Sequence, residues 1–508
     1  MIILNGESLT ITLVKRIARD GKKISIDPVS IEAVIKTRNY VEELVASKQV
    51  VYGITTGFGK FSDVVISGDE AIQLQRNLII SHACGIGSPL SEEITRAIML
   101  LRINNLIKGY SGVRPVIIDT LVAMVNEGVH PIIPEKGSLG ASGDLAPLAH
   151  MVLVMIGLGE AIYKGERLSG ETAMKAAGIP TVELREKEGL ALINGTQVMT
   201  AIGCLNVYDA IQLMKHLDVS AAMTMEALNG IIDAFDPRLH MVRPHKGQIV
   251  TASNMLRILK DSKCVKRQGE LRVQDAYTLR CIPQIHGASK DAIQFVAERL
   301  EIEINAVTDN PIVFTEDGTC FSGGNFHGQP MALPFDYLKV ALAEMANVSE
   351  RRIERLVNPQ LSGLPAFLTP NGGLHSGFMI AQYAAASLVS ENKVLSHPAS
   401  VDSIPSSANQ EDHVSMGTIS ARNGRDILEN MKQVVGIELL TAAQAIDFKD
   451  AENLGVGTKI AYDRIRKQIT KIEQDRVMYL DFNEIYDIIM TNEIVEEIEA
   501  TIGELLMN

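Results

Sequence analysis

Long apolar stretches with helical spacing constrain this chain more than any other feature. Residues 197–229 carry apolar side chains on nearly every side of a helix, which is typical of a helix buried all round. Residues 331–357, 375–396 and 418–447 continue the pattern, and 92–109 has apolar positions at helical spacing. Helices of this length lie well above the usual mean of about 11–12 residues. The sequence therefore predicts a mainly α fold with a long central helical bundle.

Strand-like segments are short and cluster near the N-terminus. MIILNG at 1–6, SLTITL at 8–13 and KISID at 23–27 have the composition of strands. We therefore expect a smaller mixed N-terminal region that carries the loops of the functional site, followed by the bundle and a charged, amphipathic helical tail. The predicted regions are 1–195, 196–450 and 451–508.

Charge and cysteine content exclude several classes of partner. The chain has 508 residues and a net charge of −13, which repels nucleic acid and anionic membranes. Its five cysteines include no CxxC pair, so we expect neither a disulfide framework nor a zinc site. The start lacks a basic segment followed by a long apolar one, and the most apolar stretch, 145–162, contains His150 and Glu160. We expect a cytoplasmic protein without a membrane span.

The common catalytic motifs are missing from the sequence. Residues 140–144 place Asp144 where the second glycine of a GxSxG elbow must stand. No GxxxxGK[ST] loop, GxGxxG turn or HExxH helix occurs, so phosphate, dinucleotide and zincin chemistry have no support. We predict no metal ion.

The run Ala141-Ser142-Gly143 permits a different chemistry. If the backbone holds the Gly143 nitrogen at attack distance from the Ala141 carbonyl carbon, loss of water closes a five-membered ring. Loss of a second water from Ser142 leaves an exocyclic methylidene, and the product is 4-methylidene-imidazol-5-one, an electrophile made from the chain itself. Asp144 is predicted to begin the next helix as its N-cap, which places the positive end of that helix near the ring.

The chain resembles the aromatic amino-acid ammonia-lyases over nearly its whole length, and within them the branch that acts on histidine. The matching blocks arrive in the family's order. They are VYGITTGFG at 51–59, RNLIISHACGIG at 76–87, GSLGASGDLAPLAH at 137–150, EGLALINGTQ at 188–197, VQDAYTLRCIPQIHGA at 273–288, NAVTDNP at 305–311, SGGNFHGQP at 322–330 and SSANQEDHVSMG at 406–417.

This resemblance implies a mostly helical fold, a homotetramer and active sites shared between subunits. It implies that Ala141, Ser142 and Gly143 cyclise without an external cofactor. The implied reaction takes a small amino acid, L-histidine, to trans-urocanate and ammonia, the first step of histidine degradation.

Individual roles also follow from the resemblance. Tyr52 matches the family's base, and Arg280 matches the residue that holds the substrate carboxylate by a two-point contact. Tyr277 would act in catalysis on the same face as Arg280 if that segment is helical, and Gln274 would continue the face. The remaining matches concern the pocket: Asn194 lies beside the ring and substrate, and Phe326 lines the pocket.

His82 and Glu411 bear on the choice of substrate. A carboxylate accepts the N–H donors of an imidazole, whereas a phenyl substrate would leave it buried and unpaired. Glu411 could instead serve only to order the loop 406–417. Two wider alternatives stay open: a tyrosine ammonia-lyase or aminomutase that uses the same electrophile, and a catalytically silent helical scaffold with an intact Ala-Ser-Gly backbone.

Overall fold

The computed structural model describes residues 1–47, 51, 53–54, 56 and 68–507, and these residues are mainly helical. The chain divides into two compact units, each made of three segments. The first unit comprises Met1–Tyr208, Ala297–Asp336 and Pro398–Arg422, and the second comprises Asp209–Val296, Tyr337–His397 and Asn423–Asn508. The predicted division into 1–195, 196–450 and 451–508 stays a prediction.

The described helices and strands follow one another in chain order. The helices are α1 (Ile11–Ala18), α2 (Pro28–Ala46), α3 (Gly68–His82), α4 (Glu92–Leu106), α5 (Pro115–Glu127), α6 (Leu145–Met155), α7 (Gly170–Ala176), α8 (Glu188–Ile193), α9 (Gln197–Ala227), α10 (Pro237–Met241), α11 (Lys246–Ile258), α12 (Tyr277–Arg280), α13 (Ile282–Glu303), α14 (Gln329–Val357), α15 (Pro359–Ser362), α16 (Met379–Leu395), α17 (Gly417–Ile446), α18 (Val456–Gln468), α19 (Tyr479–Thr491) and α20 (Glu493–Ile502). The strands are β1 (Ile2–Leu4), β2 (Ile24–Ile26), β3 (Ile86–Pro89), β4 (Val129–Pro131), β5 (Pro134–Lys136), β6 (Glu160–Tyr163), β7 (Glu166–Ser169), β8 (Ile312–Phe314) and β9 (Thr319–Phe321).

The helices predicted from apolar periodicity are all present, as α4, α9, α14, α16 and α17. One strand prediction is wrong. SLTITL at 8–13 leads into α1, because the Thr10 hydroxyl accepts the Leu13 N–H (3.2 Å) and so caps the helix. Ile11, Val14 and Ile17 then become buried at helical spacing. The alternation of Leu9, Ile11 and Leu13 also suits a short strand, which is why the sequence pattern was ambiguous.

In the first unit, the apolar core is organised around α4. Every residue of this helix from Ile94 to Leu106 is buried, and α1 and α5 pack against it. The strands of this unit form small sheets: β1 pairs in parallel with β2, and β4, β6 and β7 form an antiparallel sheet in that order. In register, Ile2 faces Ile24 and Val129 faces Tyr163. The strands β3 and β5 pair antiparallel, and β5 leads into the loop 137–144.

In the second unit, helices carry a buried polar network. The Asp218 carboxylate accepts hydrogen bonds from Lys290 Nζ (2.6 Å), Asn254 Nδ2 (2.9 Å) and His286 Nδ1 (2.9 Å). His286 Nε2 in turn accepts from Arg352 (3.1 Å). Burial lowers the pKa of His286, and a neutral ring with its hydrogen on Nδ1 satisfies both contacts. Among the described residues, no helix is both long and apolar enough to cross a bilayer.

Candidate active site

The loop 137–144, between β5 and α6 in the first unit, is tied to the turn that follows α8. Asp144 N–H donates to the Gly195 carbonyl oxygen (2.7 Å), and Gly195 N–H donates to the Ser142 carbonyl oxygen (3.4 Å). Gly143 has φ of +76°, and a Cβ on it would overlap the Gly195 carbonyl group. A glycine is therefore required where Gly143 stands, for both its dihedral angle and the close approach of the second backbone.

The side chain of Asp144 caps α9 rather than its own helix. Its Oδ2 accepts the N–H groups of Val198 (3.0 Å) and Met199 (2.9 Å) in the first turn of α9, and it makes no side-chain cap bond to α6. Its Oδ1 accepts from the hydroxyls of Ser138 (2.8 Å) and Thr418. The prediction of an N-cap at Asp144 is right for the position and wrong for the side chain, because the carboxylate is fully buried and satisfied by the neighbouring helix.

Burial raises the pKa of Asp144, and the hydrogen bonds from Thr418, Met199, Ser138 and Val198 oppose that shift. The carboxylate thus holds the loop, the start of α9 and the start of α17 together.

Ser142 is in direct contact with Glu411. The Ser142 hydroxyl donates to Glu411 Oε1 (3.1 Å), and the Ser406 hydroxyl donates to Glu411 Oε2 (2.9 Å). Main-chain hydrogen bonds between Ser406 and Glu411 (2.9 and 3.3 Å) close a tight loop. Glu411 therefore both orders its own loop and reaches the Ala-Ser-Gly run.

The residues inside this tight loop have unusual backbone conformations. Ser407, Ala408 and Asn409 have φ of 51°, 52° and 68°, in the left-handed region that non-glycine residues rarely adopt. Such strain persists where surrounding contacts impose it, and it often marks a functional site.

His82 is the last residue of α3 and is half-buried. Burial lowers the pKa of His82, and the negative charge of Glu411 partly opposes this shift. Its Nδ1 lies 3.1 Å from the Ser81 hydroxyl. The two residues predicted to recognise an imidazole are thus electrostatic neighbours, and His82 is neutral at pH 7.

Asn194 lies at the C-terminal end of α8, directly before Gly195. Its side chain is buried, and its Oδ1 has no hydrogen-bond partner among the described residues. Its carbonyl oxygen accepts from Arg102 Nη2 (2.8 Å). A buried amide oxygen without a partner is uncommon in a folded protein and suits a group that must bind something else.

Arg102 is a residue that the sequence analysis did not single out. It is fully buried in α4 and donates to the carbonyl oxygens of Ala191 (2.8 Å) and Asn194 and to the side chain of Gln197. Burial lowers the pKa of Arg102 to about 10, and the charges of Asp309 and Asp144 oppose this shift. The guanidinium thus stays charged at neutral pH and fixes the turn that carries Asn194. Its signal was a basic residue within the apolar second half of α4.

Two histidines join the Phe326 loop to the Glu411 loop. The rings of His327 and His413 stack with centroids 5.2 Å apart and planes 26° apart, and His327 Nε2 lies 3.2 Å from His413 Nδ1. The Gln329 N–H donates to His327 Nδ1 (3.2 Å), which leaves the ring hydrogen of a neutral His327 on Nε2. Phe326 itself is half-buried.

The remaining predicted residues fall elsewhere. Tyr52 lies outside the described residues. Tyr277 and Arg280 belong to the second unit, where they share one turn of α12 as predicted and the guanidinium lies over the Tyr277 ring (4.7 Å). Gln274 precedes α12, so the predicted helical face does not extend to it.

The residues of the loop fit the ring that their order predicts. Gly143 has a dihedral angle and a close contact that exclude a side chain, the Ser142 hydroxyl is directed at a carboxylate, and Asn194 offers a buried unpaired amide oxygen one residue from Gly195. Among the described residues, no group of three or more His, Cys, Asp or Glu side chains could hold a metal ion.

Comparison with known proteins extends the likeness over the whole chain. The profile of a family described as aromatic amino acid lyase matches residues 9–467. The histidine ammonia-lyase of Alkaliphilus oremlandii is 64% identical over 501 residues, which cover 99% of this chain and 99% of that protein.

Solved structures share the fold. The histidine ammonia-lyase of Trypanosoma cruzi has a TM-score of 0.92 at 40% identity and covers 98% of this chain and 95% of its own. The tyrosine aminomutase of Streptomyces globisporus has a TM-score of 0.96 at 37% identity, over 100% of both chains.

Proposed function

Because the chain belongs to the aromatic amino acid lyase family, we propose that it is a carbon–nitrogen lyase that eliminates ammonia from L-histidine without oxidation. The product is trans-urocanate, and the reaction is the first step of histidine degradation. Relatives named histidine ammonia-lyase, with 54–64% identity over nearly the full chain, support this substrate.

One observation carries the substrate assignment: the Glu411 carboxylate lies beside Ser142 and acts electrostatically on the imidazole of His82. Glu411 Oε1 is 3.1 Å from the Ser142 hydroxyl, and its charge acts on His82. A substrate imidazole N–H would pair with this carboxylate in a charge-assisted hydrogen bond. Ring formation removes the Ser142 hydroxyl, so a phenyl ring in place of the imidazole would leave Glu411 Oε1 without a donor, at a cost of roughly 1–3 kcal/mol.

The cofactor in this proposal is 4-methylidene-imidazol-5-one made from Ala141, Ser142 and Gly143. When formed, the group supplies an electrophile that accepts electron density from the substrate and so assists loss of the amine. The backbone of Gly143 and Gly195, the buried carboxylate of Asp144 and the start of α6 hold the loop in place.

The other proposed roles concern protons and orientation. Tyr52 takes the substrate Cβ proton, for which a phenol of ordinary pKa near 10 needs a positive field. Arg280 holds the substrate carboxylate, with Tyr277 acting in catalysis beside it. Three further residues are proposed to bind and enclose the substrate: Asn194, Gln274 and Phe326.

We propose that the protein is a homotetramer in which Gln274, Tyr277 and Arg280 serve the site of another subunit. Tyr277 is 69% exposed, and this exposure supports the arrangement. Within the second unit, α16 also exposes Ile380 and Tyr383 on one of its faces. Apolar side chains presented together on a helix are typical of a surface that another chain covers.

We also propose a cytoplasmic location. All five cysteines are free thiols in the structure. Unpaired cysteines in a protein of this size suit a reducing compartment.

The second candidate is a tyrosine ammonia-lyase or an aminomutase built on the same electrophile. The likeness to the tyrosine aminomutase of Streptomyces globisporus, with a TM-score of 0.96, favours it. The carboxylate at Glu411 argues against it, because a tyrosine hydroxyl offers a single donor at the far end of a longer side chain.

An ultraviolet assay with histidine, tyrosine and phenylalanine tests the proposal, since each conjugated elimination product absorbs. We expect histidine to turn over fastest and the products to lack a β-amino acid. Faster turnover of tyrosine would overturn the substrate assignment, and a β-amino acid as the main product would identify an aminomutase. A purified peptide that contains Ser142 at full mass, with no water lost, would instead support the silent scaffold.

A further inference from the structure

The contact between Ser142 and Glu411 has a chemical use before any substrate arrives. With Ser142 still a serine, before the ring has formed, its hydroxyl donates to Glu411 Oε1 (3.1 Å). Among the described residues, Glu411 is the one hydrogen-bond partner of this hydroxyl. The oxygen that must leave during formation of the methylidene is therefore already paired with an acid–base group.

The carboxylate is held in position from its other side. The Ser406 hydroxyl donates to Glu411 Oε2 (2.9 Å), and the paired main chains of Ser406 and Glu411 fix the residue at the end of its tight loop. Rotation of the carboxylate away from Ser142 would break the bond with Ser406. Oε1 is therefore directed at Ser142 without help from a ligand.

The loops that carry Glu411 and Ser142 are also bound to each other. Met416 N–H donates to the Leu139 carbonyl oxygen (2.9 Å), and the Ser415 hydroxyl donates to the Gly140 carbonyl oxygen (3.2 Å). The contact between the Glu411 carboxylate and the Ser142 hydroxyl is thus supported by hydrogen bonds between the two loops. A fixed donor and acceptor at this distance provide the proximity that proton transfer needs.

We propose that Glu411 carries the proton in the dehydration of Ser142, as a catalytic residue in formation of the electrophile. After the Gly143 nitrogen has bonded to the Ala141 carbonyl carbon and the first water has left, the Ser142 Cα–H bond is acidified by the adjacent C=O and C=N groups. The Glu411 carboxylate takes this proton, and the electron pair of the C–H bond becomes the Cα=Cβ bond. The Cβ–Oγ bond breaks, Oγ receives the proton from Glu411 and leaves as water.

This step is balanced within the chain. One proton moves from Ser142 Cα to Glu411 and then to Ser142 Oγ, one water leaves, and the carboxylate is regenerated. No oxidant or reductant takes part. Protonation matters here because hydroxide is a poor leaving group, and a positioned acid–base group accelerates such steps by about 10²–10⁴-fold. The inference rests on the proposed function, since it concerns the electrophile that the function requires.

The test is the mass of the peptide that spans 137–144, followed over time after synthesis of the full-length chain. We expect the wild-type peptide to lose two waters. Glu411→Gln keeps the shape and an oxygen that can accept from Ser142, but it cannot carry the proton. We expect its peptide to lose one water promptly and the second at least about 100-fold more slowly than wild type.

Glu411→Asp is the matched control, because it retains a carboxylate on a shorter side chain. We expect it to lose both waters, more slowly than wild type and faster than Glu411→Gln. The Asp variant also provides the test if the Gln variant does not fold. Its folding is judged from its circular dichroism spectrum. A folded Asp variant that loses both waters supports the proposal, whereas a folded Asp variant that stops after one water overturns it.

Other outcomes separate this inference from the proposed function. Loss of two waters by Glu411→Gln at the wild-type rate overturns the role of Glu411 and leaves the proposed function intact. If Glu411→Gln loses no water, Glu411 is needed for the earlier ring closure, and the assignment to the dehydration of Ser142 is overturned. A wild-type peptide at full mass overturns the proposed function and this inference together.

Discussion

Gly143 and Gly195 meet as two backbones in contact, and neither position has room for a side chain. Gly195 has φ of +139°, and a Cβ on it would press against Gln197, Thr308 and Arg102. The turn after α8 and the Ala-Ser-Gly loop can approach this closely because both residues are glycine. This contact holds the backbone of the Ala-Ser-Gly loop in the position in which the proposed electrophile would form.

Replacement of Gly195 by alanine is expected to destabilise the protein by about 2–5 kcal/mol, because the alanine would have a strained dihedral angle and its Cβ would also crowd its neighbours. Urea unfolding followed by circular dichroism measures the loss. Gly165→Ala is the matched control, because Gly165 also has positive φ (+82°) but has open space around its Cα. That change should cost about 1–2 kcal/mol. Equal losses in the two variants would contradict the crowding at Gly195.

Ser142→Ala is expected to reduce turnover of histidine by several orders of magnitude while the circular dichroism spectrum stays that of wild type, because the alanine has no hydroxyl to lose. The measurement is kcat in the ultraviolet assay, with the peptide mass as a second readout. Ser8→Ala, at an exposed serine of the first unit outside this loop, is the control and should retain the wild-type activity. Activity of Ser142→Ala within tenfold of wild type would contradict the proposed electrophile.

Glu411→Leu is expected to shift substrate preference from histidine toward phenylalanine. A hydrogen bond to a charged group is worth about 1.5–3 kcal/mol, which corresponds to a loss of roughly 10- to 150-fold in kcat/KM for histidine. Rates must be normalised to the fraction of chains that have lost two waters, since Glu411 is also proposed to act in that step. An equal fall in normalised kcat/KM for both substrates would show that Glu411 does not recognise the imidazole of the substrate.

His413→Ala is expected to raise KM for histidine about 2- to 10-fold with a smaller change in kcat, because stacked rings contribute about 0.5–1.5 kcal/mol and here join the Phe326 and Glu411 loops. His413→Gln, which keeps a planar polar side chain, should restore part of the loss. Asp412→Asn, at the exposed neighbouring residue, is the control. An unchanged KM in His413→Ala would show that the stacked pair does not position the pocket.

The buried pair of Asp218 and Lys290 predicts an acid-dependent loss of stability. Burial alone would raise the pKa of Asp218, but the charge of Lys290 and the hydrogen bond from His286 overcome this and lower it to about 2. The folded pKa lies below the unfolded one near 3.8, so the carboxylate stabilises the fold above that value. This contribution, about 2 kcal/mol, is lost as pH falls toward 2.

Lys290→Met tests this pair. The change should cost about 3–5 kcal/mol at pH 7, because it leaves a buried charge without its cation, and it should weaken the acid dependence. Unfolding free energies between pH 2 and pH 7 provide the measurement. Lys36→Met, which removes an exposed ion pair with Glu316, is the control and should cost about 1 kcal/mol or less. Similar losses in both variants at pH 7 would contradict the buried role.

Sequence reasoning succeeded where a local pattern has one physical solution. The long apolar stretches could be satisfied only by buried helices, and α9, α14 and α17 begin and end within two residues of the predicted ranges. The motif blocks identified the family, which the comparisons confirm. The pattern was ambiguous at 8–13, where alternation and helical spacing both fit, and the hydroxyl of Thr10 decided for the helix.

The sequence by itself determined the helical fold, the family and the identity of the Ala-Ser-Gly run, because these depend on periodicity and on residues that are adjacent in the chain. The tertiary structure decided which distant groups meet. Asp144 caps α9, which begins 53 residues further along the chain, and also accepts a hydrogen bond from Thr418. Glu411 contacts Ser142, from which it is separated by 269 positions in the sequence. A hydrogen bond requires a donor and an acceptor within about 3 Å of each other. The number of residues between two groups does not predict their distance in space once the chain has folded back on itself.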